Sequence, residues 1–169
     1  IVPSKWNASC FSAQGLRASI HVCPLGFNPE VYTPTSAPDG PCVFGVLGTP
    51  SLSNATRKNF DLALRAFIAA FDGVKDVRLR FKQTPTCTVL PCADARVSFC
   101  SEILPELELA EWYRALTALV LPSRGEAWAF PALHAMACGR PVIAAAFGAL
   151  TEYFGAHNGY AVNYRLERP

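Results

Sequence analysis

The chain has 169 residues, of which 51% are hydrophobic and 17% charged; this is enough for one buried core and excludes a disordered polymer. A formal charge of +2 is too small to recommend nucleic acid or an acidic membrane surface as partner. No apolar run is long enough to span a bilayer, and Ile1 follows no basic-then-apolar leader, so the chain reads as a piece of a longer chain or a mature product.

Residues 1–40 are proline-rich with little periodicity, and read as a connecting segment with one short strand at 20–23. From Pro41 the pattern changes. Val43 to Leu47 is a short apolar run closed by Gly48, which suits a buried strand. A polar loop, 49–56, leads to Phe60, Leu64, Phe67, Ile68 and Phe71 at helical spacing, and Gly73 stops that helix. Residues 77–81 alternate apolar and basic as a half-buried strand does. A Thr/Pro/Cys loop at 84–92 precedes a strand at 96–100 and a helix at 106–116. Then come a strand at 117–121 ended by Pro122, a helix at 130–138 ended by Gly139, and a strand at 141–145. A short helix near 150–154 and a last strand at 160–163 complete the chain. This alternation predicts an α/β domain, residues 41–169, with a Rossmann-like parallel sheet flanked by helices. Such sheets bind ligands at the carboxyl ends of their strands, so the loops after Leu47, Leu121 and Ala145 are where chemistry is expected.

The seven cysteines are odd in number and contain no CxxC pair. They read as small buried hydrophobes in a reducing compartment, hence a cytoplasmic protein, with no metal site expected. Cys87 and Cys92 are close enough in the 84–92 loop to pair in an oxidising one. Asn7 and Asn54 open sequons of a kind that chance supplies often, so they do not bear on location.

The densest chemical signal runs from Leu121 to Pro141. It is a strand, a tight loop carrying Glu126, and a helix with Pro131 near its start. Pro costs nothing there, and the free N–H groups of a helix N-terminus form a ready phosphate site. Glu126 beside such a site suits the hydroxyls of a sugar, although an ordinary βα connection with an exposed Glu has the same pattern. The absence of GxGxxG after the first strand counts against a dinucleotide.

The stretch Gly125, Glu126, Trp128, Phe130, Pro131, Leu133, His134, Met136, Cys138, Gly139, Pro141 to Ile143 resembles the signature of the retaining glycosyltransferases of family 4. This is the group 1 class, of GT-B architecture with two Rossmann-like domains, whose motif is a Glu, seven residues and a second Glu. The resemblance extends to residues 2–7 and 24–34, like the family's passage between domains, and to Arg57, Lys58 and Asn59, like its diphosphate-binding turn. Trp112 to Pro122 and Asn158 to Tyr160 also correspond. What is covered is the second, donor-binding half. The resemblance implies a UDP- or GDP-linked sugar as ligand, retaining transfer without metal or other cofactor, and an acceptor held by a preceding domain outside this chain. Carried over by position, Glu126, Lys58 and Arg57 are the catalytic candidates. Gly48, Thr49, Ala129, Phe130, Ala132, Leu133 and His134 are the donor-binding ones.

Four departures stand out. His134 replaces the second, ribose-binding Glu; Thr49 stands where many members have Arg; Ala127 and Ala129 replace two loop glycines. Alanine in a loop that needs φ > 0 costs about 1 kcal/mol. These changes leave open a rival in which the domain is a degenerate, non-catalytic scaffold or interaction module.

Overall fold

A computed structural model describes residues 1–49, 55–87 and 92–166. Six strands form one parallel sheet: β1 (Cys42–Leu47), β2 (Val77–Lys82), β3 (Val97–Cys100), β4 (Ala118–Leu121), β5 (Val142–Ala145) and β6 (Gly159–Val162), in the spatial order β3-β2-β1-β4-β5-β6. The strand direction reverses its march across the sheet between β1 and β4, the point at which such sheets open a ligand crevice. The apolar runs of β1, β4 and β5 suit this fold, because helices cover both faces and leave little strand surface for water.

On one face, α3 (Phe60–Ala70) lays Phe60, Leu64 and Phe67 on Val46, Leu79 and Phe81. On the other, α4 (Glu106–Arg114) and α5 (Phe130–Ala137) bury Ala110, Tyr113, Ala132 and Ala135 against Leu119 and Val142. Gly45 is required here for closeness: a Cβ on it would meet Leu116 Cδ1 at 2.4 Å.

The lead-in departs from its sequence reading. Residues 20–23 are no strand; Val22 makes one bridge with Val2. Residues 5–13 instead form α1 (Lys5–Ala13), capped by the Ser4 hydroxyl, which accepts from the Asn7 amide. None of its residues is buried, which is why no apolar stripe announced it. Asn7 of the first sequon lies inside this helix, and Asn54 of the second lies outside the described residues.

Farther along, Tyr32 is a core residue. Two buried-side guanidiniums hold its neighbours in place. Arg114 donates to the carbonyl of Val31 and to both Thr33 oxygens; Arg140 donates to both Thr35 oxygens and to Ser36 O, at 2.6–2.8 Å. Gly139, at φ +76, ends α5 and lets Pro34 pass close by.

The cysteines also differ from expectation. Only Cys138 is buried; Cys10 and Cys23 are exposed, the other four are half-buried, and all are free. Among the described residues, no helix is long and apolar enough to cross a membrane.

Candidate functional site

At the carboxyl edge of the sheet two loops meet. One follows β1. Thr49 is exposed at its start, and Pro50 to Asn54 lie outside the described residues. It re-enters as the short helix α2 (Ala55–Lys58), then turns through Asn59 at φ +53 into α3. Asn tolerates this left-handed turn better than most residues because its short polar side chain bonds locally. Arg57 and Lys58, just before this turn, reach across the switch point to the loop after β4.

The other loop joins β4 to α5 and carries Glu126. The Arg124 amide donates to the Arg57 carbonyl at 2.8 Å, and Arg57 Nη1 donates to the Gly125 carbonyl at 3.1 Å. So stapled, the loops bring Lys58 Nζ to 2.6 Å from Glu126 Oε1, and Arg57 Nη1 to 3.6 Å from Glu126 Oε2. The Lys58 and Glu126 side chains are only 11% and 16% exposed, so water screens their attraction weakly. Gly48 has a specific part in this. A side chain there would sit 3.2 Å from Lys58 Cδ, so its absence lets the lysine stem pass over the end of β1. By contrast, buried Lys82 at the end of β2 spends its ammonium on the carbonyls of Gln83 and Glu102.

A cleft of about 780 Å³ opens beside the pair. Arg57, Ser123 and Glu126 give it a polar wall; Phe147, Leu150 and Tyr164 give it an apolar one. Its dimensions and mixed lining are those of a small-molecule site.

The turn from Glu126 into α5 is held under strain. Ala129, its N-cap, is 4% exposed and adopts φ +67, whereas Ala127 does not have positive φ. Of the two alanines standing for glycines, one occupies a conformation that disfavours a Cβ. The Tyr153 hydroxyl donates to the carbonyls of Trp128 and Ala129, the latter at 3.0 Å, and its ring packs on Trp128. Burial, with the nearby Glu126 carboxylate, raises the Tyr153 pKa, so the donor stays protonated. Sequence reasoning missed Tyr153; an aromatic just after a short helix carries no local mark of such a contact.

His134 lies one turn into α5, away from the cleft lining. Its ring stacks on Tyr32, centroids 4.0 Å apart and planes at 13°, with Phe130 and Tyr113 at 5.6 and 6.0 Å. Burial lowers its pKa, which favours neutral imidazole at pH 7. The structure thus brings together Gly48, Arg57, Lys58 and Glu126. Ala129, Phe130, Ala132, Leu133 and His134 form the beginning of α5, with Ala132 turned into the core and Phe130 42% exposed.

Residues 43–167 match the family described as "Glycosyl transferases group 1". The D-inositol 3-phosphate glycosyltransferase of Frankia alni is 59% identical over 46 residues, 27% of this chain and 11% of that protein. The C-terminal domain of a glycosyl transferase group 1 family protein (LpcC) from Francisella tularensis is 24% identical, covers 81% of this chain and 80% of that one, and superposes with a TM-score of 0.63. Anabaena HepE, solved with UDP and glucose, is 18% identical with a TM-score of 0.75, covering 95% of this chain and 48% of that one. The chain therefore spans under half of HepE, and the matched stretch about a tenth of the Frankia protein.

Proposed function

Because the chain belongs to the group 1 glycosyl transferases, we propose that it is the donor-binding domain of a retaining enzyme and takes a UDP- or GDP-linked sugar. One observation carries the reading: the Lys58–Glu126 contact at the switch point, with Arg57 beside it and a cleft of suitable size adjoining. That HepE was solved with UDP and glucose supports it. In this reading Lys58 and Arg57 take the diphosphate, aided by the positive end of α5. Glu126 accepts hydrogen bonds from sugar hydroxyls. As the glycosyl bond breaks, negative charge grows on the departing diphosphate, where two fixed cations stabilise it without reorganising. The acceptor is held by a domain outside this chain, and no metal or cofactor is assigned a part.

In this reading the ribose contact that a carboxylate makes in the family falls to His134, which must leave its stack on Tyr32, outside the cleft lining, to make it. A neutral imidazole offers one acceptor where a carboxylate offers two oxygens, so the grip on ribose is weaker. His134→Glu is expected to tighten binding of the bare nucleoside by about 1 kcal/mol, the worth of one charge-assisted hydrogen bond.

Calorimetry of the domain against UDP, GDP, ADP and their sugar conjugates tests the proposal. Saturable binding of a nucleotide sugar is the expected outcome. A folded domain that binds none of them at millimolar concentration, as parent or as His134→Glu, points to the second reading, a non-catalytic scaffold. That reading draws on one observation, the engagement of the His134 ring by Tyr32.

A further inference from the structure

Resting on the donor-site reading, we propose that Glu126 makes the site distinguish a nucleotide sugar from the bare nucleoside diphosphate left after transfer. It does so by competing with the phosphates for Lys58. The Lys58 ammonium is neutralised at 2.6 Å by a carboxylate that is itself mostly covered. Arg57 sits 3.6 Å from the second carboxylate oxygen, so the three side chains together carry one net positive charge. Glu126 is also the one acidic side chain lining the cleft among the described residues.

A diphosphate arriving at Lys58 must share that lysine with an anion a few ångströms away in a weakly screened place. The two candidate ligands meet this cost differently. The nucleotide sugar brings hydroxyls, whose O–H groups donate to the carboxylate and spread its charge. The bare diphosphate brings no donor to that position, and its free terminal phosphate is more negative than the same phosphate esterified to a sugar. Glu126 is therefore satisfied by the substrate and opposed to the product. Once the glycosyl group has left, the carboxylate regains Lys58 and favours release.

The sign of the effect separates this role from a simple sugar contact. A residue that only grips the sugar leaves diphosphate affinity unchanged when neutralised. A residue that also competes for Lys58 raises it. Titration of the parent, Glu126→Gln and Glu126→Ala with UDP, GDP, UDP-glucose and GDP-mannose reads both quantities. The parent is expected to bind the sugar conjugate about tenfold more tightly than the matching diphosphate. In Glu126→Gln the diphosphate is expected to bind about threefold to tenfold more tightly than in the parent, and the conjugate about tenfold more weakly, inverting the preference. Glu126→Ala repeats the sign test if the glutamine variant fails to fold. The inference is overturned if neutralised Glu126 leaves diphosphate affinity unchanged or lower, or if the parent itself prefers the bare diphosphate. A parent that binds none of the four ligands refutes the donor-site reading beneath it, a result distinct from either of these.

Discussion

Glu126 stands before the strained turn at Ala129 and His134 one helical turn beyond it, and the fold gives them opposite settings. Glu126 faces a cleft and is paired with cations delivered from the other side of the switch point, sixty-eight positions away in the chain. His134 is turned to an aromatic group completed by Tyr32 of the lead-in, and burial favours its neutral form. Glu126 has a charged partner. His134 carries a packing contact. A short motif is therefore not one site by virtue of its spacing. Each end answers to whatever distant segment the sheet topology sets against it.

The contrast can be broken from the His134 side first. Tyr32→Ala removes a buried ring on which that half depends, and is expected to cost about 3 kcal/mol of stability by the usual toll of large-to-small core changes. Urea unfolding measures it, and a loss under about 1 kcal/mol would mean that the lead-in is not part of the core. On the Glu126 side, Lys58→Ala is expected to weaken nucleoside diphosphate binding at least about tenfold, roughly 1.4 kcal/mol, by removing a charge-assisted phosphate contact. An unchanged dissociation constant in calorimetry takes Lys58 out of the site.

A subtler difference is in pH dependence. The folded pKa of His134 lies below its unfolded value, which is about 6.5. The unfolded chain therefore binds the proton more readily between those two values, and stability rises with pH across that window. It is expected to be fully present above about pH 6.5 and to be lost as pH falls toward the depressed folded value. Melting temperatures at about pH 7.5 and 5.5 should differ more in the parent than in His134→Phe; equal differences would show that the ring is not desolvated as it stands. The smallest expected effect sharpens the account of the turn itself. Ala129→Gly relieves a left-handed alanine, and unfolded-chain entropy offsets part of that gain, leaving about 0.5 kcal/mol of added stability. A fall in melting temperature would argue that the buried Ala129 methyl packs better than its backbone strains.

Much of the sheet was legible because its strands are short, apolar and punctuated. Gly48, Pro122, Gly139 and Pro141 bracket β1, β4, α5 and β5 within a residue or two. The helices α3 and α4 were legible from apolar spacing, and α5 from Pro131 near its start and Gly139 at its end. Helix α1 was not, since it buries nothing and its only local signal is Ser4 before a helical stretch. Among candidate site residues, Arg57 and Lys58 came from resemblance, whereas Glu126 was legible physically as a loop carboxylate beside a helix N-terminus; otherwise the physical expectation reached only as far as the loops after β1, β4 and β5. The clamp by Tyr153, and the guanidiniums of Arg114 and Arg140 on the lead-in, left no trace in local pattern.

The amino-acid order by itself determined the alternation of strand and helix, the parallel sheet, and the edge of that sheet where chemistry belongs. Those follow from hydrophobic period and turn residues, which act over a few positions. Only the tertiary structure decided that Lys58 meets Glu126 and that His134 meets Tyr32. It also decided that Ala129, and not Ala127, bears the left-handed strain. The two pairings join segments far apart in the chain, and their distances are set by the crossover of β1 and β4 and by how closely Gly48 lets a lysine pass. The strain at Ala129 is local, yet it persists because Tyr153 holds the carbonyls on both sides of it, a contact that no local rule contains.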